Sequence, residues 1–167
     1  MLELLMQSEE YAEFGKQDFF LAHIFKMLDK PNKDIWQVGF YSPSKENMIT
    51  CMVDGASVLV TPESEVFKKP DSEILKLELD KVSIDWKEAL EKAERFISDH
   101  YPSEMIITTF FILQRLPLGT VYNLTYMTKS FHTINLKLSA QDGAVLKHSK
   151  DSLMDMARFE KGGAKRE

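Results

Sequence analysis

Two segments of the chain place an Asp-Gly pair between runs of alternating residues: VDGASVLVTP at 53–62 and SAQDGAVLKHS at 139–149. Because glycine adopts positive φ at no steric cost, such a pair between two strand-like runs indicates a tight hairpin turn. An aspartate beside a glycine is also compatible with a catalytic or metal-binding corner. Asp142 has no second acid, histidine pair or nucleophile at a meaningful spacing, so we interpret both stretches as turns between antiparallel strands.

The clearest predicted helix covers residues 84–102. Asp85 and Glu88 resemble a capping box at its start, and Pro102 ends it. Its apolar residues recur at steps of three and four, which is the spacing of one buried helical face: Trp86, Ala89, Leu90, Ala93, Phe96, Ile97 and Tyr101. The segments EMIITTFFILQRL, TVYNLTYMT and FHTINLKLSA follow and are predicted to be strands. This half of the chain therefore reads as a helix followed by an antiparallel meander.

The N-terminal part is predicted to follow the same plan. Residues 8–29 carry apolar groups at helical spacing, which predicts a helix that is either continuous or split at Gly15: Tyr11, Phe14, Leu21, Ile24, Phe25 and Leu28. Three predicted strands follow, in DIWQVGFYS, MITCMVDG and ASVLVT. IWQVGFYS aligns with VYNLTYMT, and the two Asp-Gly turns then coincide, so the halves form either a true repeat or a chance similarity. We expect an α+β fold in which a helix packs on an antiparallel β-meander. If the repeat is real, this unit occurs twice, once in each half of the chain.

The charged segment 63–73, which contains Pro70, is predicted to connect the halves. The predicted units are an N-terminal α+β half over 1–69, a C-terminal α+β half over 70–160, and a flexible tail over 161–167. Two segments are less defined. ILKLELDKV is either a short strand or an extended lead-in to the helix, and KDSLMDMARFE is predicted to form one or two helical turns.

Composition narrows the classes of function. A net charge of −5 without a basic face argues against nucleic-acid binding. Cys51 is the single cysteine, so an intramolecular disulfide framework is excluded and a reducing compartment fits. The start, MLELLMQSEEYAEF, lacks a basic n-region, and no window reaches the roughly 18 apolar residues that a membrane span needs. We therefore predict a cytoplasmic protein without a membrane segment.

Catalytic and metal-binding patterns are not apparent in the sequence. Ser130-Phe131-His132 lacks an orienting acid, Cys51 lies in an apolar run, and no glycine cluster forms a phosphate loop. Four histidines stand apart from one another, without the spacing of metal ligands: His23, His100, His132 and His148. The prediction is a non-enzymatic protein with no catalytic residue, no metal and no cofactor.

The second half resembles a PepSY-type domain over residues 80–149, and the resemblance extends to residues 18–61 if the repeat is real. It is carried by Ala89-Leu90 and Ala93 in the helix, by VYNL at 121–124 in the central strand, and by LKLSAQDGAVL at 136–146. The usual acid-x-x-x-Gly spacing is contracted here to Ala140-Gln141-Asp142-Gly143. The resemblance implies a non-catalytic interaction module that restrains a peptidase or binds another partner, and it carries over no catalytic residues.

Aromatic residues crowd the predicted strands of the C-terminal half. Phe110 and Phe111 are consecutive and must point to opposite sides of a strand. One side packs on the helix; the other is either covered, by the first half or by a twin subunit, or receives a partner. The residues predicted to contact a protein or peptide partner are Phe111, Tyr122, Tyr126 and Phe131.

The sequence thus predicts a cytoplasmic binding or regulatory module that acts through its sheet face or an edge strand. An alternative is a small-ligand-binding protein or an enzyme, with an apolar pocket between sheet and helix into which His132, Asn123 or Gln114 converge. A purely structural homodimer subunit is a further alternative.

Overall fold

Antiparallel strands form the scaffold of the protein, and helices cover one side of it. A computed structural model describes residues 1–15, 17–28, 34–66 and 73–153. The first part contains the helices α1 (Leu2–Met6) and α2 (Glu9–Phe14) and the strands β1 (Phe20–Met27), β2 (Trp36–Ser42), β3 (Asn47–Val53), β4 (Val58–Val60) and β5 (Ser64–Glu65). The second contains a 3-10 turn (Leu79–Lys81), the helix α3 (Trp86–His100) and the strands β6 (Ile106–Leu116), β7 (Gly119–Thr128), β8 (His132–Ser139) and β9 (Val145–Ser152). The protein is an α+β fold with an antiparallel sheet, as the sequence predicts.

The nine strands of the described residues belong to one sheet, in the order β4-β3-β2-β1-β6-β7-β8-β9, and β5 pairs with β3. β1 and β6 pair antiparallel in the middle, from His23 opposite Gln114 to Met27 opposite Phe110. Each half therefore contributes a four-strand meander that starts at the centre and runs outward. This order is symmetric about the β1–β6 pair, as a duplicated arrangement requires, while the duplication itself stays a prediction.

Both Asp-Gly segments are turns. Gly55 and Gly143 have φ values of 90° and 73°, in the region that favours glycine. Asp54 Oδ1 accepts hydrogen bonds from the Ser57 amide at 3.1 Å and from its hydroxyl. Asp142 Oδ1 accepts one from the Ala144 amide at 3.0 Å. Each carboxylate is thus used within its own turn, which agrees with the structural interpretation of both stretches.

The predicted helix over residues 8–29 is wrong in its second part. Ser8 caps α2 by accepting a hydrogen bond from the Tyr11 amide, and the helix ends at Phe14. The chain then enters strand β1, which pairs with β2 on one side and with β6 on the other. Its apolar residues fit a helical period, but two neighbouring strands satisfy its backbone groups, and tertiary pairing decides between the two.

The helices pack on one face of the sheet and form the main core with it. Asp85 caps α3 by accepting hydrogen bonds from the amides of Lys87 and Glu88, and Ala89, Ala93 and Ile97 are buried. Sheet residues on this face include Leu124, Ile134, Leu136 and Leu138, all in the same apolar cluster. On the N-terminal half, Leu5, Tyr11 and Phe14 belong to or pack against that cluster, and Phe14 contacts Phe40 edge-on.

Three further predicted segments can be compared with the structure. ILKLELDKV is an extended lead-in that ends in the 3-10 turn, and its Leu77 amide donates to the Leu21 carbonyl at 2.8 Å. The start of KDSLMDMARFE continues strand β9 to Ser152, so the prediction of helical turns is wrong for residues 150–152; residues 154–160 lie outside the described residues, as does the predicted tail 161–167. The predicted halves 1–69 and 70–160 meet at the β1–β6 pair within one sheet.

Candidate functional site

Three of the four predicted partner-contacting residues lie in the core. Phe111, Tyr122 and Tyr126 are only 2–3% exposed, because strand alternation places them on the face that the helices cover. Side chains this deeply buried offer no contact surface, so the prediction is corrected for these three. Phe131 is 65% exposed in the β7–β8 turn, with a φ of 58°, and its role as a contact residue stays a prediction.

The buried aromatic residues have structural partners instead. Phe111 stacks on Trp86 of α3 with ring centroids 5.9 Å apart, and it meets Tyr122 edge-on. The Tyr122 hydroxyl donates to the Ile84 carbonyl at 2.9 Å, which ties the segment before α3 to the sheet. Burial raises the pKa of Tyr122 to about 12, so its hydroxyl stays protonated and acts as a donor. These contacts assign the residues to the attachment of α3.

Tyr126 differs from Tyr122 in one respect. Its ring is buried beneath α3, but its hydroxyl has no hydrogen-bond partner among the described residues. Burial, and secondly the Glu94 carboxylate, raise the pKa of Tyr126. A buried hydroxyl without a partner is a cost to folding, which makes Tyr126 a useful probe of the core.

The opposite side of the sheet, here called the helix-free face, carries no helix of the described residues. One row of cross-strand neighbours runs over it from edge to edge, as the strand registers show. At about 4.8 Å per strand the row spans about 34 Å. Its members, in order, are Leu59, Met52, Gln37, Phe25, Ile112, Asn123, Lys137 and Lys147.

The part of this row over β4, β3, β2, β1 and β6 is apolar except for Gln37 on β2. Phe25, Met52 and Ile112 are half-buried, and Leu59 is 62% exposed. Phe25 packs against Phe110 in the adjacent row, with ring centroids 5.6 Å apart. A hollow of about 80 Å³ lies between Phe25, Met27, Ile35, Gln37 and Met52. The centre of the helix-free face is therefore an apolar surface with a shallow depression.

The half of the row over β7 to β9 is polar and basic. Asn135 Nδ2 donates to Asn123 Oδ1 at 2.8 Å and to Thr125 Oγ1 at 3.1 Å, and Lys137 Nζ donates to Asn135 Oδ1. Lys147 lies directly opposite Lys137 across the β8–β9 pair. Burial, and secondly the Lys147 charge, lower the pKa of Lys137. Two cations are thus held side by side next to the apolar centre.

His23 lies on the helix-free face, in the row of cross-strand neighbours next to that of Phe25. Its ring lies on Gly39 of the neighbouring strand, where an added Cβ would be only 2.2 Å from the ring carbon Cε1. Burial lowers the pKa of His23, because the charged imidazolium loses its hydration there. Gly39 is therefore required by close approach of this ring.

A second candidate site lies on the helix side, between α3 and the first two strands. It is an open cleft of about 500 Å³ lined by Lys26, Leu28, Asp34, Trp36, Trp86 and Leu90. Lys26 is 5% exposed, and its Nζ lies 4.2 Å from the centre of the Trp36 ring, within the range of a cation–π interaction. Burial lowers the pKa of Lys26, while the Asp34 charge acts in the opposite direction. His132, Asn123 and Gln114, the polar groups predicted for such a pocket, do not line this cleft.

In the structure an acid, Glu104, contacts the Ser130-Phe131-His132 segment, but it does not contact the histidine as catalysis requires. Ser130 Oγ donates to Glu104 Oε2, and His132 Nδ1 lies 3.0 Å from the same serine oxygen. In a nucleophilic triad the acid orients the histidine, whereas this acid binds the serine. Lys150 and Ser130 hold the pKa of Glu104 down, at about 2, so Glu104 is the charged acceptor of a structural ion-pair network.

No cluster of three or more potential ligands that could hold a metal ion is found among residues 1–15, 17–28, 34–66 and 73–153. Cys51 is buried, and burial raises the pKa of its thiol to about 11, which keeps it protonated. Over the same residues, no helix is long and apolar enough to cross a membrane.

The sequence predicts a second side of the sheet but not its residues, because the helix predicted over residues 8–29 includes strand β1. Read as a strand, FLAHIFKM places Phe25 beside Ile112, and the row becomes visible only once the pairing order is known. The alternation of Phe110 and Phe111 is the signal that was available, since it requires aromatic side chains on both sides of β6.

Comparison with known proteins bears on the fold. No protein-family model matches the sequence, and no curated protein matches it. One similar solved structure is the crystal structure of a putative lipoprotein from Clostridium difficile 630, with a TM-score of 0.55 and 19% sequence identity. The match covers 85% of this chain and 88% of that one, so the two share an overall fold.

Proposed function

We propose that this chain is a non-enzymatic binding or regulatory module whose partner contacts the helix-free face. The observation that supports this is the apolar centre of that face, formed by Phe25, Phe110, Ile112 and Met52 on the side of the sheet that carries no described helix. Contiguous apolar surface of this kind marks interaction sites in soluble proteins. The other face, which carries Tyr122 and Tyr126, is covered by α3 instead.

The sheet edges are less suited to receiving a partner strand. β4 has three residues, and β9 is VLKHSKDS, which is mostly exposed and includes two lysines. Short edge strands and lysines on an edge are the usual means by which proteins avoid adding a strand. The proposal therefore assigns partner contact to the face of the sheet.

A charge placed at the centre of the face tests the proposal. Ile112→Glu should abolish capture of the partner from an extract of the source cell, because a carboxylate would be buried against apolar groups on binding. Leu118→Glu is the matched control, since Leu118 is 46% exposed in the turn between β6 and β7. Circular dichroism and a thermal melt verify that both variants fold. If both variants capture the partner as wild type does, the proposal fails.

The second candidate function is small-ligand binding in the cleft between α3 and the sheet. It is favoured by the cleft's size and by the convergence of Lys26, Trp36 and Trp86 on it. Tryptophan fluorescence reports directly on this site. A fragment screen that shifts this emission in wild type, but not in Trp86→Phe, would favour this candidate over the first.

The PepSY-like assignment and the cytoplasmic location belong to the same proposal. The helix-then-meander order of the second half supports the assignment, and the single buried cysteine supports a reducing compartment. Restraint of a peptidase is the regulatory role that the resemblance implies. Cell fractionation, and a peptidase assay with and without the purified chain, test these two points.

A further inference from the structure

We infer that the partner is a protein surface with an apolar centre flanked on one side by carboxylates, which meet Lys137 and Lys147. This inference rests on the proposed function and specifies the chemistry of the partner at the same face. It follows from three observations: an uncompensated pair of cations, the fixed position of Lys137 beside the apolar centre, and too few acids on the described strands of this face for a second copy of the chain to neutralise the pair.

The lysine pair is uncompensated within the described part of the chain. Lys137 and Lys147 are cross-strand neighbours on β8 and β9, and neither forms an ion pair with a described carboxylate. Like charges directly opposite each other on a sheet destabilise it. The chain as a whole has a net charge of −5, so this local cationic pair is not a by-product of a basic composition. Carboxylates from a partner would neutralise it.

Lys137 is fixed beside the apolar centre, and Lys147 lies opposite it on the next strand. The Asn123–Asn135 hydrogen bond and the Lys137–Asn135 contact hold the lysine in one place. Ile112, Asn123 and Lys137 are consecutive members of one row, so Ile112 and Lys137 lie about 10 Å apart, two strand spacings. One standard interface of about 800 Å² per partner covers both. The row's length, about 34 Å, suits a protein surface better than a small molecule.

A second copy of the chain does not supply the required acids. The strands contain two acidic residues, Glu65 and Asp151. Asp151 is placed on this face by its pairing with Thr133, so the strands of each copy offer one carboxylate on this face for two lysines. In a face-to-face dimer with its two-fold axis between β1 and β6, the lysines of one copy would lie against the Met52 side of the other copy. With the axis near β8, the lysines of one copy would lie against the same lysines of the other copy. Both arrangements bury cations without partners.

The test uses a library of 12-residue peptides displayed on phage and selected on the full-length protein. We expect enriched sequences to combine aromatic or aliphatic residues with Asp or Glu. Synthetic copies should bind about tenfold more weakly to the Lys137→Glu/Lys147→Glu variant, since two favourable pairs become repulsive. Lys147→Glu alone changes an exposed residue and serves if the double variant does not fold. Lys81→Glu/Lys129→Glu is the charge-matched control, and it should bind as wild type does.

The outcomes separate the inference from the function on which it rests. Peptides that need Ile112 but show no acidic bias and no response to lysine reversal overturn the inference and leave the proposed function standing. Failure to enrich any Ile112-dependent peptide overturns both. A dimer in light scattering that Ile112→Glu dissociates would show that a second copy covers the face, which also overturns the inference.

Discussion

The substitution Tyr126→Phe is expected to stabilise the protein, although it removes a polar group from a tyrosine that the sequence suggested as a partner contact. Tyr126 is buried beneath α3, and its hydroxyl has no partner among the described residues. Leaving a buried hydroxyl unpaired costs roughly 1–3 kcal/mol. Phenylalanine keeps the ring and its packing, so we expect a gain of about 1 kcal/mol in the free energy of unfolding.

Tyr122→Phe is the matched control, and its expected effect has the opposite sign. Its hydroxyl donates to the Ile84 carbonyl at 2.9 Å in an equally buried position. Phenylalanine there removes that hydrogen bond and leaves the carbonyl unsatisfied, so we expect a loss of about 1–2 kcal/mol. Each variant removes a single oxygen from a buried ring on the same face of strand β7, which separates the effect of the hydrogen bond from that of ring packing.

Urea denaturation measures both changes in the free energy of unfolding, from the shift of the midpoint urea concentration while the slope of the free energy against urea stays constant. In thermal melts, 1 kcal/mol corresponds to about 2–4 °C for a chain of this size. If Tyr126→Phe destabilises the protein as much as Tyr122→Phe does, the Tyr126 hydroxyl has a partner and this account of the core is wrong. If neither variant changes stability, the two residues are not in the core.

Three further predictions concern local packing and charge. Gly39→Ala should lower the free energy of unfolding by about 1–3 kcal/mol in urea titrations, because the added Cβ would overlap the His23 ring. Unchanged stability would contradict that contact. Because burial lowers the pKa of His23, the unfolded chain binds more protons, so stability should fall as pH decreases through 6.5 and below. His23→Gln should flatten that part of the pH profile, and an equally steep profile in the variant would rule out this source. Asp85→Ala removes the cap of α3 and should cost about 1 kcal/mol in urea titrations, whereas Asp99→Ala in the last turn should cost less.

The sequence predicts much of the fold because the local signals are strong. The stripe from Trp86 to Tyr101 and the Asp-Gly turns at Gly55 and Gly143 depend on side-chain spacing and backbone freedom within a few residues. The structure places the helix, the strands and both turns where these signals lie. The helix predicted over residues 8–29 is wrong over Phe20–Met27, because the apolar residues there satisfy both periods and pairing with the distant strand β6 selects the extended form.

The candidate site was less accessible to sequence reasoning. Aromatic content on β6 and β7 suggested a contact surface but not which side of the sheet α3 covers, so Tyr122 and Tyr126 were placed on the wrong side. The row that joins Phe25, Ile112 and Lys137 depends on strand order and register, and register is set by pairing over the whole sheet. Alternation within one strand shows that two faces exist but does not identify the exposed one.

Site-specific photo-crosslinking in the source cell tests most directly whether the helix-free face is the contact surface. A photoreactive phenylalanine analogue replaces Phe110 on that face or, as the comparison, Arg95 on the exposed side of α3. The account predicts a crosslinked partner from position 110 and none from position 95. A partner crosslinked from position 95 but not from position 110 would contradict it.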